Sequence, residues 1–441
     1  MKYIITHCYT DKNKGDAAII IATTQLIKEI DNNADISFIS TYGSKDYRVE
    51  KEHELIKNYG NRILPSIFGE PLPLFGIKND KLRIISFFLD LIKSMLLLIS
   101  SNDKFIKLFL NKKERESFKF FYLADVIISK GGSYLCTENT SLRQTFSLIR
   151  MLYPFILAKR YKKKIVIFSQ SLGPVEGRIN GWLFKKILSN IDSIFLRESL
   201  CFDKYKIVKD VCKKVDFKII PDSAFFLKNE KSENIPLDID ISKYNIGYTI
   251  VDHDFKYIDD EIEKSKKREN YIQSIRESIK YFIDNFNAII HIFPQVLVDI
   301  SHTGHNDMKI SKEISDSFIG TKYENCIYFY NKDFSPIQLR NLYSQMEFLI
   351  GTRLHSVIFT LSTETPAINI SYHGTKSLGI LKGIKNYAQY VVDINTIEPK
   401  ILLEVIKKMI ENKKDIKETL KIDIMRMKNE LHEAMREVCS I

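Results

Sequence analysis

The chain has 441 residues, a formal net charge of +11 and a hydrophobic fraction of 44%. This length is too great for one ordinary hydrophobic core and suits two domains of roughly 200 residues each. The six cysteines form no CxxC pair, which argues against a zinc or disulfide framework and favours reduced cytosolic thiols. No secretory signal, helix-turn-helix or RNP-like motif is present, so we expect a cytoplasmic protein that binds no nucleic acid.

The amino-terminal half alternates short apolar runs with helical periodicity, the pattern of a parallel α/β sheet. It predicts strands at 2–7, 35–40, 124–129, 164–170, 194–196 and 217–220, and helices at 15–30 and 141–160. Ligands of open α/β sheets bind at the carboxyl ends of strands. The candidate binding residues that follow these strands are Asn13, Gly15, Asp16, Gly131, Gly132, Gln170 and Arg197.

Two of these positions also have a purely structural interpretation. Asp16 lies at a predicted helix start, where an acid is commonly a cap or a first-turn residue. The alternative is that its carboxylate binds or activates a hydroxyl of a substrate. The pair Gly131 and Gly132 lets a backbone approach a ligand closely, but paired glycines also simply make tight turns.

Residues 60–120 interrupt this alternation. The stretch 83–100 is apolar but contains Asp90 and Lys93, so it is too short and too charged to be predicted as a membrane span. The stretch 103–119 carries six cations and three acids. An apolar helix beside a basic stretch fits peripheral contact with the inner face of the cell membrane. It fits equally well a helical hairpin that packs on the domain with a solvated basic face.

A charged stretch at 228–242 is the predicted linker. It separates an amino-terminal domain at 1–228, which includes the insertion at 60–120, from a carboxy-terminal domain at 243–396 and a helical tail at 397–441. The second domain restarts the alternation, with strands at 245–250, 288–293, 326–330, 348–350 and 366–370 and helices at 266–285, 307–318 and 336–346. We therefore predict two Rossmann-like α/β domains with a cleft between them.

The strongest candidate site lies within 347–376. Arg353 and His355 lie where a predicted strand gives way to a helix, and the next strand ends in a cluster that contains Tyr372, His373 and Lys376. A permanent cation, an imidazole and a lysine at one sheet edge indicate a site for a small, strongly anionic ligand.

Structural roles remain open for these residues as well. Arg353 and Arg197 could be partners in structural ion pairs, and His355 a satisfied histidine at a helix start. His302 and His305 form an HxxH pair, but no cysteine or carboxylate spacing accompanies it, so we expect no metal site. The chain has no G-x-S-x-G elbow and no GxxxxGK[ST] loop, which argues against a serine hydrolase and a P-loop ATPase.

Several short motifs occur in a defined order along the chain. They are Asn13-x-Gly15-Asp16, Gly131-Gly132, Ser169-Gln170-Ser171-Leu172-Gly173-Pro174, Leu196-Arg197-Glu198-Ser199, Pro221-Asp222, Gly351-Thr352-Arg353-Leu354-His355 and Lys376. Together they resemble the polysaccharide pyruvyl transferase family over about residues 4–380. The chain departs from that family in Ser133, where a third glycine is common, and in the apolar and basic insertion at 83–119.

The resemblance implies a GT-B-like fold of two Rossmann-like domains that face an interdomain cleft. It also implies transfer of pyruvate from phosphoenolpyruvate (PEP) to a sugar hydroxyl pair as a ketal, with release of phosphate. The acceptor would be a cell-surface glycan, such as a capsule, a cell-wall glycan or an exopolysaccharide, or its polyprenyl-linked precursor. PEP is a co-substrate, and no cofactor or metal is expected.

The chemistry of PEP and of its acceptor gives the candidate residues their expected roles. The expected catalytic residues are His355 as the acid, Asp16 as the base and Arg353 as a ligand of the PEP oxyanions. The expected substrate-binding residues are Asn13, Gly15, Gly131, Gly132, Gln170, Arg197, Leu354, Tyr372, His373 and Lys376. Two alternatives remain, a nucleotide-sugar glycosyltransferase of the GT-B type and a non-catalytic, membrane-associated scaffold.

Overall fold

The computed structural model describes residues 1–69, 80–230, 237–255, 257–298, 306–372 and 375–440, without the side chains of 80–84, 86 and 375. The chain divides into two compact units. The first comprises Met1–Asp11, Ile19–Ser223 and Glu430–Ile441, and the second comprises Lys12–Ala18 and Ala224–Asn429.

The first unit is built on seven parallel strands in the order β3-β2-β1-β4-β5-β6-β7. They are β1 (Lys2–Cys8), β2 (Asp35–Gly43), β3 (Arg62–Ser66), β4 (Val126–Ser129), β5 (Lys164–Gln170), β6 (Ser193–Leu196) and β7 (Asp216–Ile219). Continuous apolar runs form the central strands because a parallel sheet is buried on both faces. The strand order reverses between β1 and β4, so the carboxyl ends of these strands form a switch point at which ligands bind.

The described residues of this half of the chain form nine α-helices. They are α1 (Lys14–Ile30), α2 (Arg48–Lys51), α3 (Asp80–Ile99), α4 (Asp103–Ile106), α5 (Lys112–Leu123), α6 (Leu142–Arg160), α7 (Arg178–Leu188), α8 (Leu200–Lys204) and α9 (Lys206–Cys212). The predicted insertion at 60–120 thus contains an edge strand and three helices. Pro65 obscures that strand in the sequence, but an edge strand tolerates proline because one side needs no partner.

The second unit is built on six parallel strands in the order β10-β9-β8-β11-β12-β13. They are β8 (Asn245–Thr249), β9 (Ile289–Ile292), β10 (Ile327–Phe329), β11 (Phe348–Gly351), β12 (Ala367–Ser371) and β13 (Val391–Asp393). This is the strand order of a Rossmann sheet, and its switch point lies between β8 and β11. The short edge strand β13 was not predicted.

The remaining α-helices are α10 (Glu261–Phe286), α11 (Met308–Asp316), α12 (Pro336–Tyr343), α13 (Leu354–Leu361), α14 (Thr375–Leu381), α15 (Pro399–Glu411) and α16 (Lys413–Cys439). Local sequence explains their ends. Asp260 caps α10 and Asn287 ends it in the left-handed region at φ 50°. A capping box of Ser335 and Gln338 starts α12, with Pro336 in the first turn.

The two parallel sheets confirm the predicted α/β class with two Rossmann-like units. The compact units differ from the predicted ranges 1–228, 243–396 and 397–441 in two respects. The segment Lys12–Ala18 groups with the second unit, and the chain returns to the first unit at Glu430. Within the described ranges, no helix combines the length and the apolar character needed to cross a membrane.

Candidate active site

The turn from β11 to α13 places Arg353 at the carboxyl edge of the second sheet, as predicted. Gly351 ends the strand, and Arg353 precedes the helix with extended backbone angles of −82° and 118°. A Cβ atom on Gly351 would lie 2.6 Å from Ser356 Oγ, so a larger residue would push the strand and the helix apart. Ser356 Oγ donates to the Arg353 carbonyl at 2.6 Å and holds the turn.

Arg353 forms a buried ion pair with Asp307 that the sequence pattern did not reveal. Arg353 Nη2 donates to Asp307 Oδ1 at 2.6 Å, and Nε donates to Oδ2 at 3.0 Å. Asp307 is 1% exposed and also accepts the backbone N–H of Val296 at 2.9 Å. Burial lowers the pKa of the Arg353 guanidinium, but the Asp307 carboxylate and Tyr372 raise that pKa by more, so the group stays charged.

Tyr372 contacts the same guanidinium. Arg353 Nη1 donates to Tyr372 Oη at 2.8 Å, so the structure brings together two residues that the sequence placed at neighbouring strand ends. Burial raises the pKa of the Tyr372 hydroxyl, and the opposing effect of Arg353 is smaller, so the hydroxyl stays protonated. Lys376 lies in the first turn of α14, whereas His373 lies outside the described residues.

The segment Lys12–Ala18, which belongs to the second unit, packs against His355. A Cβ atom on Gly15 would lie 2.3 Å from His355 Nδ1, so the Gly15 backbone lies directly on the imidazole. Asn13 Nδ2 donates to Asp16 Oδ2 at 2.7 Å, and the Asn13 carbonyl accepts the N–H of Ala17 at 3.1 Å. Asp16 is therefore an acid in the first turn of α1 that is held by Asn13, the residue directly before the helix. Asp16 also directly follows Gly15, the glycine that contacts the His355 imidazole.

Two polar residues that the sequence reasoning did not single out connect this segment to the ion pair. The Lys14 N–H donates to the Gln295 carbonyl at 3.4 Å, and the Gln295 N–H donates to Asp307 Oδ2 at 3.3 Å. The Lys14 side chain is 4% exposed and pairs with Asp333. Gln295 is 1% exposed, and its amide oxygen accepts no hydrogen bond from the part of the chain that the structure describes. Both residues follow predicted strands, which is the one signal that could have identified them.

In the first unit, Arg197 follows β6 as predicted and is also part of a buried ion pair. Arg197 Nη1 donates to Asp222 Oδ2 at 2.7 Å, and Nε donates to Ser171 Oγ at 2.8 Å. Arg197 is 5% exposed and Asp222 is fully buried. The sequence analysis named Asp222 only as part of the Pro221-Asp222 motif and did not predict that it pairs with Arg197.

The predicted glycines and Gln170 meet at the carboxyl edge of the first sheet. A Cβ atom on Gly131 would lie 2.5 Å from the Ser169 carbonyl oxygen, and Gly132 has a φ of +138°, so both positions require glycine. Gly132 forms a β-bridge with Gln170. Gln170 is fully buried, and neither its amide nitrogen nor its amide oxygen has a hydrogen-bond partner among the described residues.

The candidate residues therefore form two groups, one in each compact unit. The second unit holds Asn13, Gly15, Asp16, Arg353, Leu354, His355, Tyr372 and Lys376, and the first unit holds Gly131, Gly132, Gln170 and Arg197. Among the described residues, no three or more histidine, cysteine, aspartate and glutamate side chains form a group that could hold a metal ion. His302 and His305 lie outside the described residues.

Comparison with known proteins shows sequence similarity to one protein family and similarity of fold to solved structures. The sequence model of the polysaccharide pyruvyl transferase family matches residues 13–374. Amylovoran biosynthesis protein AmsJ of Erwinia amylovora is 21% identical over 442 residues, which cover 95% of this chain and 94% of that protein.

Solved structures with related folds have much lower sequence identity. UDP-GlcNAc 2-epimerase from Neisseria meningitidis has a TM-score of 0.51 at 12% identity and covers 99% of each chain. A UDP-glucose:anthocyanidin 3-O-glucosyltransferase has a TM-score of 0.55 at 10% identity, over 99% of this chain and 98% of that one. At this identity the structures establish the fold alone, and they confirm the predicted GT-B-like class.

The Arg353–Asp307 pair leads to a stability prediction. Asp307→Ala would leave a charged guanidinium buried without its carboxylate, so we expect the free energy of unfolding to fall by about 3–5 kcal/mol in urea denaturation. Arg353→Met/Asp307→Asn removes both charges and keeps an amide oxygen that can accept the N–H of Val296, so it should recover most of that loss.

Asp284→Ala is the matched control, because it removes the carboxylate of an exposed pair with Lys322. It should change stability little, since exposed pairs contribute little. Similar small losses for Asp307→Ala and Asp284→Ala would contradict a stabilising role for the buried pair.

Proposed function

This chain belongs to the polysaccharide pyruvyl transferase family, and from that premise we propose that it transfers pyruvate from PEP to two hydroxyls of an acceptor sugar. The acceptor is a cell-surface polysaccharide or its polyprenyl-linked precursor, and phosphate is released in the cytoplasm. The observation that carries this proposal is the contact of Gly15 with His355 in the same unit as the Arg353–Asp307 pair. It joins the proposed acid, the proposed base segment and a guanidinium within one compact unit.

Arg353 suits the donor because its ion pair orients the guanidinium without using all its donors. Of its five N–H groups, Nε and one on Nη2 bond to Asp307, and one on Nη1 bonds to Tyr372. Two N–H groups thus have no acceptor among the described side chains and backbone, and the side chain keeps 14% exposure. PEP carries a carboxylate and a phosphate, and a planar guanidinium matches either oxyanion. We assign Lys376, which lies in the same unit, as a further cation for these groups, and Arg197 of the first unit as a substrate-binding residue.

The proposed reaction has two stages. A proton from solvent is added to the methylene carbon of PEP, the first sugar oxygen bonds to the central carbon, and Asp16 accepts the proton of that hydroxyl. The bond between this carbon and the phosphate oxygen then breaks, and phosphate departs with the electron pair, protonated by His355. The second hydroxyl attacks the same carbon, gives its proton to the His355 imidazole, which is neutral after protonating the phosphate, and closes the ketal. The products are the pyruvylated sugar and inorganic phosphate, and the scheme uses no metal ion.

A nucleotide-sugar glycosyltransferase is the second candidate, because solved structures of similar fold are described as complexes with UDP or UDP-GlcNAc. In that reaction Arg353 and Lys376 would hold a diphosphate. A non-catalytic scaffold is the third candidate, and it predicts no turnover with either donor.

The first functional prediction separates these candidates. The purified chain should release phosphate from PEP in an acceptor-dependent manner, and EDTA should not reduce the rate. His355→Gln should lower kcat by about 10²–10⁴-fold, since glutamine fills a similar space but cannot act as the acid. His432→Gln is the matched control, because His432 lies near the exposed Glu29 in the other unit.

Arg353→Met/Asp307→Asn tests the arginine without leaving a buried charge unpaired, and its amide oxygen can still accept the N–H of Val296. We expect this variant to be folded and inactive. Release of a nucleotide from a nucleotide sugar would support the glycosyltransferase, and no turnover with either donor would support the scaffold. Wild-type kinetics in His355→Gln would contradict the role of His355.

The second functional prediction concerns Gly15. Gly15→Ala would place a methyl group where His355 Nδ1 now lies, so the imidazole must move. A displacement of about 1 Å at a catalytic group can cost about 100-fold in rate, and we expect a loss in kcat of that size. Stability should fall by only about 1–3 kcal/mol, the usual cost of overpacking.

Gly181→Ala is the control, since its nearest contact would be the flexible end of Ile207 at 3.3 Å. Full activity in Gly15→Ala would show that the glycine contact does not position the imidazole.

The third functional prediction concerns Gln170, which we propose binds a hydroxyl of the acceptor. Gln170→Leu should raise the KM for the acceptor about five- to tenfold, the effect of one lost hydrogen bond, and leave the KM for PEP unchanged. The thermal midpoint should stay the same or rise, because a buried amide without partners costs free energy. Gln273→Leu is the control, since its amide bonds to Glu277. Lower stability with an unchanged acceptor KM would make Gln170 a structural residue.

A further inference from the structure

The helix α3 has an exposed apolar face that the first unit does not use. Six large apolar side chains on it are between 48% and 66% exposed: Ile85, Phe88, Leu89, Ile92, Met95 and Ile99. Their spacing of three and four residues puts them on one side of the helix, and at 1.5 Å per residue they extend over about 21 Å. We call this set the α3 stripe. Single exposed apolar residues are normal on protein surfaces, whereas a contiguous row marks an interaction surface.

The opposite face of α3 is packed in the core of the first unit, so the helix is anchored. Phe87 is 3% exposed and stacks on Phe146 with a centroid distance of 4.1 Å, and Leu97 is fully buried. Tyr153 Oη donates to the Ser94 carbonyl at 3.0 Å. The helix therefore has two apolar faces, of which the core covers one. This explains why the sequence could not separate a packed helix from a surface-binding one.

Cations lie at the last turn of α3 and on the two helices that follow it in the chain, and we call these residues the basic border. The first turn of α5 lies beside α3, since Lys93 Nζ is 3.4 Å from Glu114 Oε1. Arg160 donates to the carbonyl oxygens of Leu98 and Ile99 at 2.5 and 3.2 Å, which places a guanidinium at the last turn of α3. Exposed lysines follow on the next two helices: Lys104, Lys107, Lys112, Lys113 and Lys119. Of the three acids in 103–119, Glu114 is buried and used in a capping box, so the exposed charge there is predominantly positive.

From the apolar stripe and its basic border we propose that α3 docks the protein on an anionic membrane surface. The apolar side chains would enter the boundary between head groups and acyl chains, and the cations would contact anionic lipid head groups. A second copy of the chain fits this surface less well, because a symmetric contact through the stripe would bring two basic borders together.

The proposed membrane docking does not depend on the proposed reaction. The benefit that docking would bring to the enzyme does rest on that reaction. A polyprenyl-linked acceptor is confined to the membrane surface. An enzyme held at the same surface meets it at a higher effective concentration than an enzyme in bulk solution. The α3 stripe would thus favour lipid-linked over soluble acceptors.

The test is co-sedimentation of the full chain with vesicles. We expect binding to vesicles of phosphatidylglycerol and phosphatidylcholine, weaker binding to phosphatidylcholine alone, and loss of binding at high salt. Ile92→Asp/Met95→Asp should reduce the partition coefficient by about tenfold or more, because two charges would enter the apolar boundary. Ile262→Asp/Ile422→Asp is the matched control, since both isoleucines are at least 70% exposed on other helices.

Three results would overturn the proposal. The parent chain could fail to bind anionic vesicles, or the control variant could lose binding as strongly as the stripe variant. Sedimentation without lipid could also show a dimer that Ile92→Asp/Met95→Asp converts to a monomer, which would make the stripe a self-association surface. Phosphate release with a soluble acceptor should be unchanged in the stripe variant. If the parent chain releases no phosphate, the proposed reaction is wrong, but the vesicle measurement still tests the docking.

Discussion

The buried pair of Arg353 and Asp307 is the interaction on which the second unit's candidate site depends. It connects the turn after β11, the segment that follows β9 and, through Tyr372, the end of β12. Burying two charges costs several kcal/mol unless both are well bonded. That condition is met here, because the carboxylate accepts two guanidinium bonds and the backbone N–H groups of Gln295 and Val296. The guanidinium is therefore oriented before any ligand arrives, which is the basis of electrostatic preorganisation.

The first unit repeats this arrangement with Arg197 and Asp222. Arg197 comes directly after β6, and Arg353 comes two residues after the end of β11. In each unit a buried aspartate from another segment of the chain accepts hydrogen bonds from the guanidinium. The structural and functional interpretations of these arginines are thus compatible. An ion pair keeps a buried charge tolerable, and the N–H groups that it does not use can bind an oxyanion.

Local pattern was enough to predict most strands and the positions of Arg353 and Arg197, because buried parallel strands are continuous apolar runs. The partners of these residues could not be predicted in the same way. Asp307 is 46 residues from Arg353, and Gly15 is far from His355 in the chain, so no periodicity connects them. Pattern also missed β3 and β13, and it could not tell the buried face of α3 from the exposed one. Each failure involves tertiary contacts, which sequence periodicity does not encode.

The pairing of cations also bears on how the site would handle an anionic donor. Arg353 is balanced by Asp307, and Lys12 and Lys14 share the carboxylate of Asp333, so these three cations and two carboxylates carry a net charge of only +1. In the proposed reaction, PEP would therefore be recognised by oriented N–H groups and by Lys376 more than by excess charge. Such a site binds the ground state less tightly than a cluster of unpaired cations would. Little turnover is lost by this, because interactions that bind the substrate and the transition state equally do not raise kcat. Weaker binding of the ground state also lets the phosphate product leave more readily.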